Sequence, residues 1–245
     1  PVVLADIAGA AGMDRLLAFD AETGVLTAEA GVTLEAVLDF VLPRGWFLPV
    51  TPGTRFVTLG GAVANDVHGK NHHRAGTIGH HVRSMELLRS DRGVMRLATA
   101  ENPELFRATI GGLGLTGLIR SVELQLAPVQ GPWFETRSIR FGSLADFFRL
   151  APAVDEEFAY SAAWIDCMAK GRHLGRGVYF CGNHSPDASP APRPHPLLGV
   201  PFELPGWLLN PLSLRLFNVA YYNRRLVQGR QHYAPFLYPL DVLDD

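Results

Sequence analysis

One stretch of the sequence limits the possible folds more than any other. Residues 51–73 read TPGTRFVTLGGAVANDVHGKNHH, in which small residues follow a Pro52-Gly53 turn signal. Gly60 and Gly61, with alanines close behind them, remove side chains where a backbone must approach another group closely. Such a loop or helix start can also present free N–H groups to a pyrophosphate. The alternative is a tight turn followed by a closely packed helix, and these residues alone leave both open.

The same stretch ends in polar residues. His68, Gly69 and Lys70 suit a site where a bound ring meets a hydroxyl-bearing substrate, and Lys70 can bind an anion or stabilise charge. The alternatives are a hydrogen-bonded structural histidine at 68 and a solvated surface lysine at 70, which is the usual place for that residue type. Their spacing does not decide between these interpretations.

Histidines cluster in and just after this stretch. Five of the nine fall between residues 68 and 81, which raises the hypothesis of a metal site. Gly69, Gly76 and Gly79 interrupt any helix that would align the imidazoles, there is no HExxH pattern, and the two cysteines lie far along the chain. We therefore expect no metal site.

A second glycine motif lies at residues 112–117, which read GLGLTG and match G-x-G-x-x-G. A nicotinamide-binding fingerprint follows a strand and opens a helix. Here a predicted helix (Glu104–Ile110) precedes the glycines, and a predicted strand (Leu118–Leu126) follows them. The order is reversed, which disfavours a Rossmann site. Two interpretations of these glycines stay open. They form a glycine-lined turn against which a cofactor lies, or a turn with no ligand.

The predicted elements alternate between strands and helices. In the first half they are a strand at Val25–Ala30, a helix from Leu34 with Thr33 as N-cap, a short strand at Phe47–Val50, and a hairpin whose strands flank Asp91-Arg92-Gly93. In the second half they are strands at Phe134–Phe141, Tyr160–Asp166 and Gly175–Cys181, and a helix at Ser143–Leu150. This pattern predicts an α+β fold.

Proline and glycine at 128, 131 and 132 suggest a boundary between two domains, 1–128 and 129–245. Beyond the predicted strands, His184–Pro205 holds seven of the 18 prolines and is interpreted as a surface loop or cap.

Composition excludes two classes of partner. Lys and Arg number 22 against 24 Asp and Glu, so the net charge of −2 gives no electrostatic case for nucleic acid. The longest apolar stretch, Leu208–Phe217, is interrupted by polar residues, and we expect no transmembrane segment. Cys167 and Cys181 do not make a disulfide framework and are expected to be buried thiols. A cytoplasmic location, with association with the membrane surface as a further option, fits best.

Two longer strings carry a family resemblance. TPGTRFVTLGGAVANDVHGKNHHRAGTIGHHVRSMELL and ELFRATIGGLGLTGLI resemble the FAD-binding (PCMH-type) domain of the vanillyl-alcohol-oxidase superfamily. Within it, the HGKNHH string is similar to the FAD subunits of decaprenylphosphoryl-ribose 2-epimerases, whereas lactone oxidases tend to have HGTG. The likeness continues with YSAAWID, LGRGV and FLYPLD to the end of the chain. Leu237 departs from it, because the epimerase subunits tend to carry a pocket tyrosine there.

The resemblance implies a set of site residues and the cofactor FAD. His68 and Lys70 would be catalytic, and His68, Gly69, Lys70 and Trp164 would contact the substrate. The FAD-lining residues would be Gly53, Thr58, Leu59, Gly60, Gly61, Asn65, Asp66, Val67, His68, Gly117 and Ile119.

The implied activity is that of an FAD-dependent oxidoreductase in cell-wall biosynthesis. It would oxidise a secondary alcohol of a small or lipid-linked sugar by hydride transfer to flavin N5, with a separate NAD(P)-dependent reductase as partner. The alternatives are an oxygen-using aldonolactone or alditol oxidase and a catalytically silent flavin-fold fragment. The family's RSYGD-type loop would precede Pro1, and part of its active site would follow FLYPLD. Both domains are therefore expected to be incomplete.

Overall fold

The chain folds into two compact units, residues 1–131 and 132–245. The computed structural model describes residues 12–191, 206, 210–239 and 241. Val129 lies with the first unit, since its N–H donates to the carbonyl of Gly45 (2.8 Å) and its side chain is buried. The units thus divide after Gly131, and the proposed separation of cofactor and substrate functions at residue 128 stays a prediction.

A five-stranded antiparallel sheet, in the order β1-β2-β6-β4-β5, forms the first unit. Its strands are β1 (Leu16–Asp20), β2 (Val25–Glu29), β4 (Val82–Arg89), β5 (Gly93–Ala98) and β6 (Leu118–Gln125). A separate antiparallel pair joins β3 (Trp46–Phe47) to β7 (Ala127–Pro128). Parallel strands, which a Rossmann site requires, do not occur among the described residues of this sheet.

Within residues 12–131, the described part of this unit, four α-helices accompany the sheet: α1 (Leu34–Val41), α2 (Leu59–Ala64), α3 (His72–Ala75) and α4 (Pro103–Thr109). The predicted N-cap of α1 is confirmed, because the Thr33 hydroxyl oxygen accepts a hydrogen bond from the N–H of Ala36 (3.1 Å). A 3₁₀ turn then continues α1 to Gly45, whose φ of 82° closes the helix in the left-handed conformation.

The core of the first unit lies between this sheet and α1 and α2. The strands contribute Leu26, Leu87, Val122 and Leu124, and the helices contribute Leu34, Val37, Leu38, Val41, Leu59, Ala62 and Val63; all are buried. The predicted strand at 47–50 is shorter in the structure, since pairing ends at Phe47.

A four-stranded antiparallel sheet, in the order β11-β8-β10-β9, forms the second unit. Its elements are β8 (Trp133–Phe141), α5 (Leu144–Glu157), β9 (Tyr160–Ile165), β10 (Gly177–His184), α6 (Pro211–Asn223), β11 (Gln228–His232) and α7 (Tyr233–Leu237). Val154 of α5 packs with Phe141, Phe158, Tyr179 and Cys181 in one apolar cluster. The predicted α+β architecture is confirmed.

Three predictions for the second unit differ from the structure, and part of the third lies outside the described residues. The helix predicted to end at Leu150 runs to Glu157 through Pro152, which is exposed, so that water can satisfy the carbonyl left without its N–H donor. Cys167, expected to be buried, is exposed just after β9. His184, predicted to begin the surface loop, instead ends β10, and residues 192–205 of that loop lie outside the described residues.

Candidate functional site

The two stretches of small residues meet at the C-terminal end of α2. The N–H of Gly111 donates to the carbonyl of Val63 (3.0 Å), and the N–H of Leu113 donates to that of Ala64 (2.8 Å). The order of elements around the second stretch is the one predicted, with α4 before the glycines and β6 after them. The sequence therefore brings two distant glycine-rich segments into direct contact within one unit.

The start of α2 is closed to an anion. The N–H groups of Leu59, Gly60 and Gly61 donate to the Val32 carbonyl (2.7 Å), the Ala30 carbonyl (2.8 Å) and the Thr58 hydroxyl (3.1 Å). The interpretation that this helix start offers free N–H groups to a pyrophosphate is wrong for these three residues.

Packing explains Gly60. A Cβ atom built there would lie 2.6 Å from the Cβ of Ala30, so a hydrogen at this position lets α2 lie directly on the chain that leaves β2. Of the two interpretations that the sequence leaves open for this glycine, the closely packed helix is the one observed.

Gly53 differs from Gly60. It is exposed, and a Cβ atom built on it would meet nothing within 4 Å. The fold of this unit therefore does not require glycine at 53. Its predicted contact with a cofactor remains the explanation that the sequence offers.

Four further predicted cofactor-lining residues have structural contacts. Thr58 caps α2, and the Asn65 side-chain amide donates to the main chain of that helix (2.8 Å). Asp66 has a φ of 44° and its carboxylate accepts the N–H of Gly79 (3.0 Å), while the Val67 N–H bonds back to α2 (3.1 Å). These contacts fix the turn after α2, and the predicted contacts with a cofactor would be additional to them.

For three more of the predicted cofactor-lining residues, packing within the first unit explains the residue type. Leu59 is fully buried and Ile119 is 5% exposed on β6, so their side chains belong to the core. Gly117 has a φ of 149°, and a Cβ atom there would lie 2.7 Å from the Leu88 carbonyl oxygen. Glycine at 117 is thus required by the approach of its turn to β4.

The His68-Gly69-Lys70 segment lies between α2 and α3. His68 is exposed and forms an isolated antiparallel bridge with Thr77. A Cβ atom at Gly69 would lie 2.6 Å from the Thr51 carbonyl oxygen, so this glycine lets the segment pack against the start of the motif. Lys70 is partly buried beside it.

The neighbouring histidines make local hydrogen bonds. Nδ1 of His72 lies 3.2 Å from the Gly69 carbonyl oxygen, and Nε2 of His81 lies 2.9 Å from that of Ala75. His80 Nδ1 accepts the N–H of Thr77 (3.2 Å). Within the described part of the chain, no three His, Cys, Asp or Glu side chains are grouped as metal ligands.

Trp164, the predicted wall of the substrate pocket, lies on β9 in the second unit. Its ring is 4.6 Å from that of Tyr221 on α6, and the guanidinium of Arg224 lies 3.9 Å above the Tyr221 ring. Sequence reasoning did not find this stack, because no local pattern links residues on separate elements.

His184 is a partly buried histidine at the end of β10 in the same unit. Its Nε2 lies 3.1 Å from the Tyr160 hydroxyl, and burial lowers the pKa of its imidazole to about 4. The ring is therefore neutral at physiological pH, and its aromatic neighbours Phe134 and Tyr160 place it in the packing of the sheet.

Comparison with known proteins relates most of the first unit to one family. Residues 7–99 match the sequence model of a family described as an FAD binding domain. This part of the chain is thus similar to that family. The chain's likeness to the PCMH-type fold is confirmed by a solved alkyldihydroxyacetonephosphate synthase, which has a TM-score of 0.59 at 14% identity over 70% of this chain and 37% of that one.

Two curated relatives are informative. A decaprenylphosphoryl-β-D-ribose oxidase of Mycolicibacterium smegmatis is 33% identical over 95% of this chain and 54% of its own length. A mitochondrial L-galactono-1,4-lactone dehydrogenase of Arabidopsis thaliana is 31% identical over 46% of this chain and 18% of its own length. The chain thus spans about half the length of the ribose oxidase. The family and these relatives indicate FAD as the cofactor.

The residues of this FAD-binding domain fit a polar ligand. Among the described residues, the Asn71 side-chain carbonyl oxygen and the Thr116 hydroxyl are buried without a hydrogen-bond partner. Such atoms are costly to leave unpaired. One follows Lys70 and the other precedes Gly117, so each adjoins a segment predicted to contact FAD or substrate. The sequence analysis missed both, although Asn71 lies within the HGKNHH string.

The described part of the chain holds no helix with both the length and the apolar character needed to cross a membrane.

Proposed function

We propose that this chain is part of an FAD-dependent oxidoreductase that oxidises a secondary alcohol of a sugar-type substrate, like a polyprenylphosphoryl-ribose 2-oxidase in cell-wall biosynthesis. FAD, when bound, supplies the N5 position that accepts a hydride from the carbinol carbon. The C–H bond and the O–H bond of the alcohol are both broken, and the product is a ketose-like sugar. The protein's own task is to hold the alcohol and to accept its proton.

Residues of the first unit would divide these tasks. An imidazole nitrogen of His68, which is exposed, would accept the hydroxyl proton. Lys70 would orient the sugar and stabilise negative charge at its oxygen. Gly53 would let the cofactor approach bare backbone, while Asn71 and Thr116 would supply the buried polar atoms described above.

The extent of similarity carries the proposal. The likeness to the ribose oxidase runs through 95% of the chain and so includes the second unit, where the predicted substrate residue Trp164 lies. The likeness to the lactone dehydrogenase covers 46% of the chain. Since the cofactor domain is shared by many activities, similarity in the second unit favours the ribose-type substrate.

An oxygen-using aldonolactone or alditol oxidase is the second candidate, and the lactone dehydrogenase relative supports its lactone substrate. Under the first proposal the keto sugar passes to a separate NAD(P)-dependent reductase, which reduces it with inverted stereochemistry. The proposed location is the cytoplasm, at the membrane surface.

Flavin reduction by defined substrates tests the choice. The flavin-loaded protein is mixed without oxygen with a lipid-linked pentose, a lactone or an alditol, and bleaching of the flavin absorbance is followed. Bleaching by the pentose alone supports the proposal. Bleaching by lactones or alditols, with peroxide release in air, supports the second candidate. Protein that is colourless after incubation with FAD and removal of the free FAD would be the silent fragment.

Two variants test the assigned residues. Lys70→Ala should lower the rate of flavin reduction strongly while flavin content stays near that of the wild type. Gly53→Ala should weaken FAD binding about tenfold or more, since a methyl group at a close approach costs roughly 1–3 kcal/mol. Gly12→Ala is the matched control, because Gly12 is also exposed with nothing within 4 Å of an added Cβ. Equal effects of the two alanines would remove Gly53 from the site.

A further inference from the structure

Helix α6 of the second unit presents its apolar side chains to the outside. Leu212, Leu216 and Val219 are 67%, 63% and 47% exposed, and along this fully described helix no side chain is buried. Their spacing of four and three residues places them on one face. A helix on the surface of a globular protein normally has polar residues on this face.

One flank of α6 is fixed to the rest of the unit, and Leu214 and Phe217, on the side that faces away from the stripe, are also exposed. The side-chain amide of Asn218 donates to the Asp166 carboxylate (2.7 Å), and the Tyr222 hydroxyl donates to the Phe141 carbonyl (3.3 Å). Asn218 and Tyr222 lie roughly 125° and 85° around the helix from the apolar stripe. The outward position of the stripe is therefore set by specific contacts.

The residues at the start of α6 are those that favour a helix N-terminus. Asn210 accepts hydrogen bonds from the N–H groups of Leu212 (2.9 Å) and Ser213 (3.1 Å), and Pro211 occupies the first helical position. With 13 residues, α6 is about 20 Å long, too short to cross a bilayer but long enough to lie along its surface.

Charge around α6 indicates the kind of surface that fits. Between Glu203 and Asp241 the sequence has four arginines and neither Asp nor Glu. Arg230 pairs with Asp187 and Arg224 stacks on Tyr221, so Arg215 and Arg225 are the two that can face an external surface. Arg215 and Arg225 are exposed, and Arg215 borders the apolar stripe. Arginines beside exposed leucines are typical of helices that lie in the interface of an anionic membrane.

We propose that α6 docks the protein on an anionic lipid surface, with Leu212, Leu216 and Val219 inserted among the acyl chains and Arg215 and Arg225 at the headgroups. A second copy of the chain, or the rest of a longer protein, would cover the apolar stripe equally well. The exposed arginines beside the stripe favour an anionic lipid surface over both. The inference rests on the proposed location at the membrane surface and is independent of the flavin chemistry.

Vesicle sedimentation of the whole chain tests the inference. Wild-type protein should bind vesicles of phosphatidylcholine mixed with phosphatidylglycerol, bind pure phosphatidylcholine more weakly, and detach at high salt. Changing Leu212, Leu216 and Val219 together to serine should weaken binding at least about tenfold, because each side chain loses apolar burial. The matched control replaces Leu17 and Val94 by serine, since both are 49% exposed in the first unit.

Several results would overturn the proposal: equal binding by the triple variant, equal loss in the control, or no binding of wild-type protein or of a longer natural form. A concentration-dependent dimer that only the triple variant loses would assign the stripe to self-association. If circular dichroism shows that the triple variant is unfolded, Arg215→Glu with Arg225→Glu replaces it. That pair should abolish the preference for phosphatidylglycerol, and an unchanged preference would refute the inference.

Discussion

Replacing Gly60 by alanine tests whether this glycine is present for packing. Gly60 is buried in α2, and its N–H donates to the Ala30 carbonyl (2.8 Å). The added Cβ would lie 2.6 Å from the Cβ of Ala30 and 3.1 Å from its carbonyl oxygen. Neither neighbour is the end of a flexible side chain, so the helix and the chain leaving β2 must move apart.

The magnitude follows from two opposing effects. Alanine within a helix is favoured over glycine by about 1 kcal/mol. Carbon atoms in contact are normally about 3.5–4.0 Å apart, so the backbones must separate by roughly 1 Å, which strains the hydrogen bond between them. Overpacking of this kind costs about 1–3 kcal/mol, and we expect a net loss of about 1–2 kcal/mol in the free energy of unfolding.

Urea denaturation of the first unit, followed by circular dichroism, measures this loss. Gly53→Ala is the control, because it lies in the same stretch with nothing within 4 Å of its added Cβ, and its stability should stay within about 0.5 kcal/mol of wild type. A Gly60→Ala protein as stable as wild type, or more stable, would refute the packing argument.

Two further predictions concern the second unit. At neutral pH, a chromogenic disulfide reagent should react quickly with the exposed thiol of Cys167. It should not react with Cys181, because burial raises the pKa of that thiol to about 11. Two fast-reacting thiols in the folded protein would contradict this prediction. Burial alone would raise the pKa of the Asp166 carboxyl, but hydrogen bonds from Arg176 and Asn218 lower the pKa overall. The ionised carboxylate therefore contributes to the free energy of unfolding at pH values above its unfolded pKa near 4, and this contribution is lost as the pH falls through the lower folded pKa. Asp166→Asn should therefore destabilise the protein by about 3 kcal/mol at pH 7, and the gap in melting temperature from wild type should close at lower pH; a gap that does not depend on pH would disprove the ion-pair explanation.

Local signals predicted most of the elements correctly. Thr33 and the apolar spacing after it fixed α1, and the hairpin of β4 and β5 followed from the turn at Asp91-Arg92-Gly93. The start of α6 was missed, although Asn210 and Pro211 carry its signal, because these two residues were interpreted only as interruptions of an apolar stretch. A strand such as β1 is harder to predict, since its short sequence has no clear alternation and pairing with β2 defines it.

The sequence predicted which segments form the candidate site, but it did not predict the contacts of the individual side chains and N–H groups. The sequence located the residues around 51–73 and 111–117, and the structure joins them at Val63 and Ala64. The hydrogen bonds that occupy the N–H groups of α2, and the unpartnered Asn71 and Thr116, depend on residues distant in sequence. Such information exists only once the chain has folded.

Glycines in one motif can therefore serve different ends, and the fold separates them. Gly60, Gly69 and Gly117 each face a neighbour within 3 Å of an added Cβ, so any polypeptide with this fold needs them whether or not it binds FAD. Gly53 faces open space, so glycine there adds nothing to the packing of the unit. A flavin-fold protein that has lost its cofactor would keep the first three and be free to change the fourth. If the cofactor passes over this position, we expect two results together. Active relatives should retain glycine at 53, and Gly53→Ala should lose FAD without losing stability.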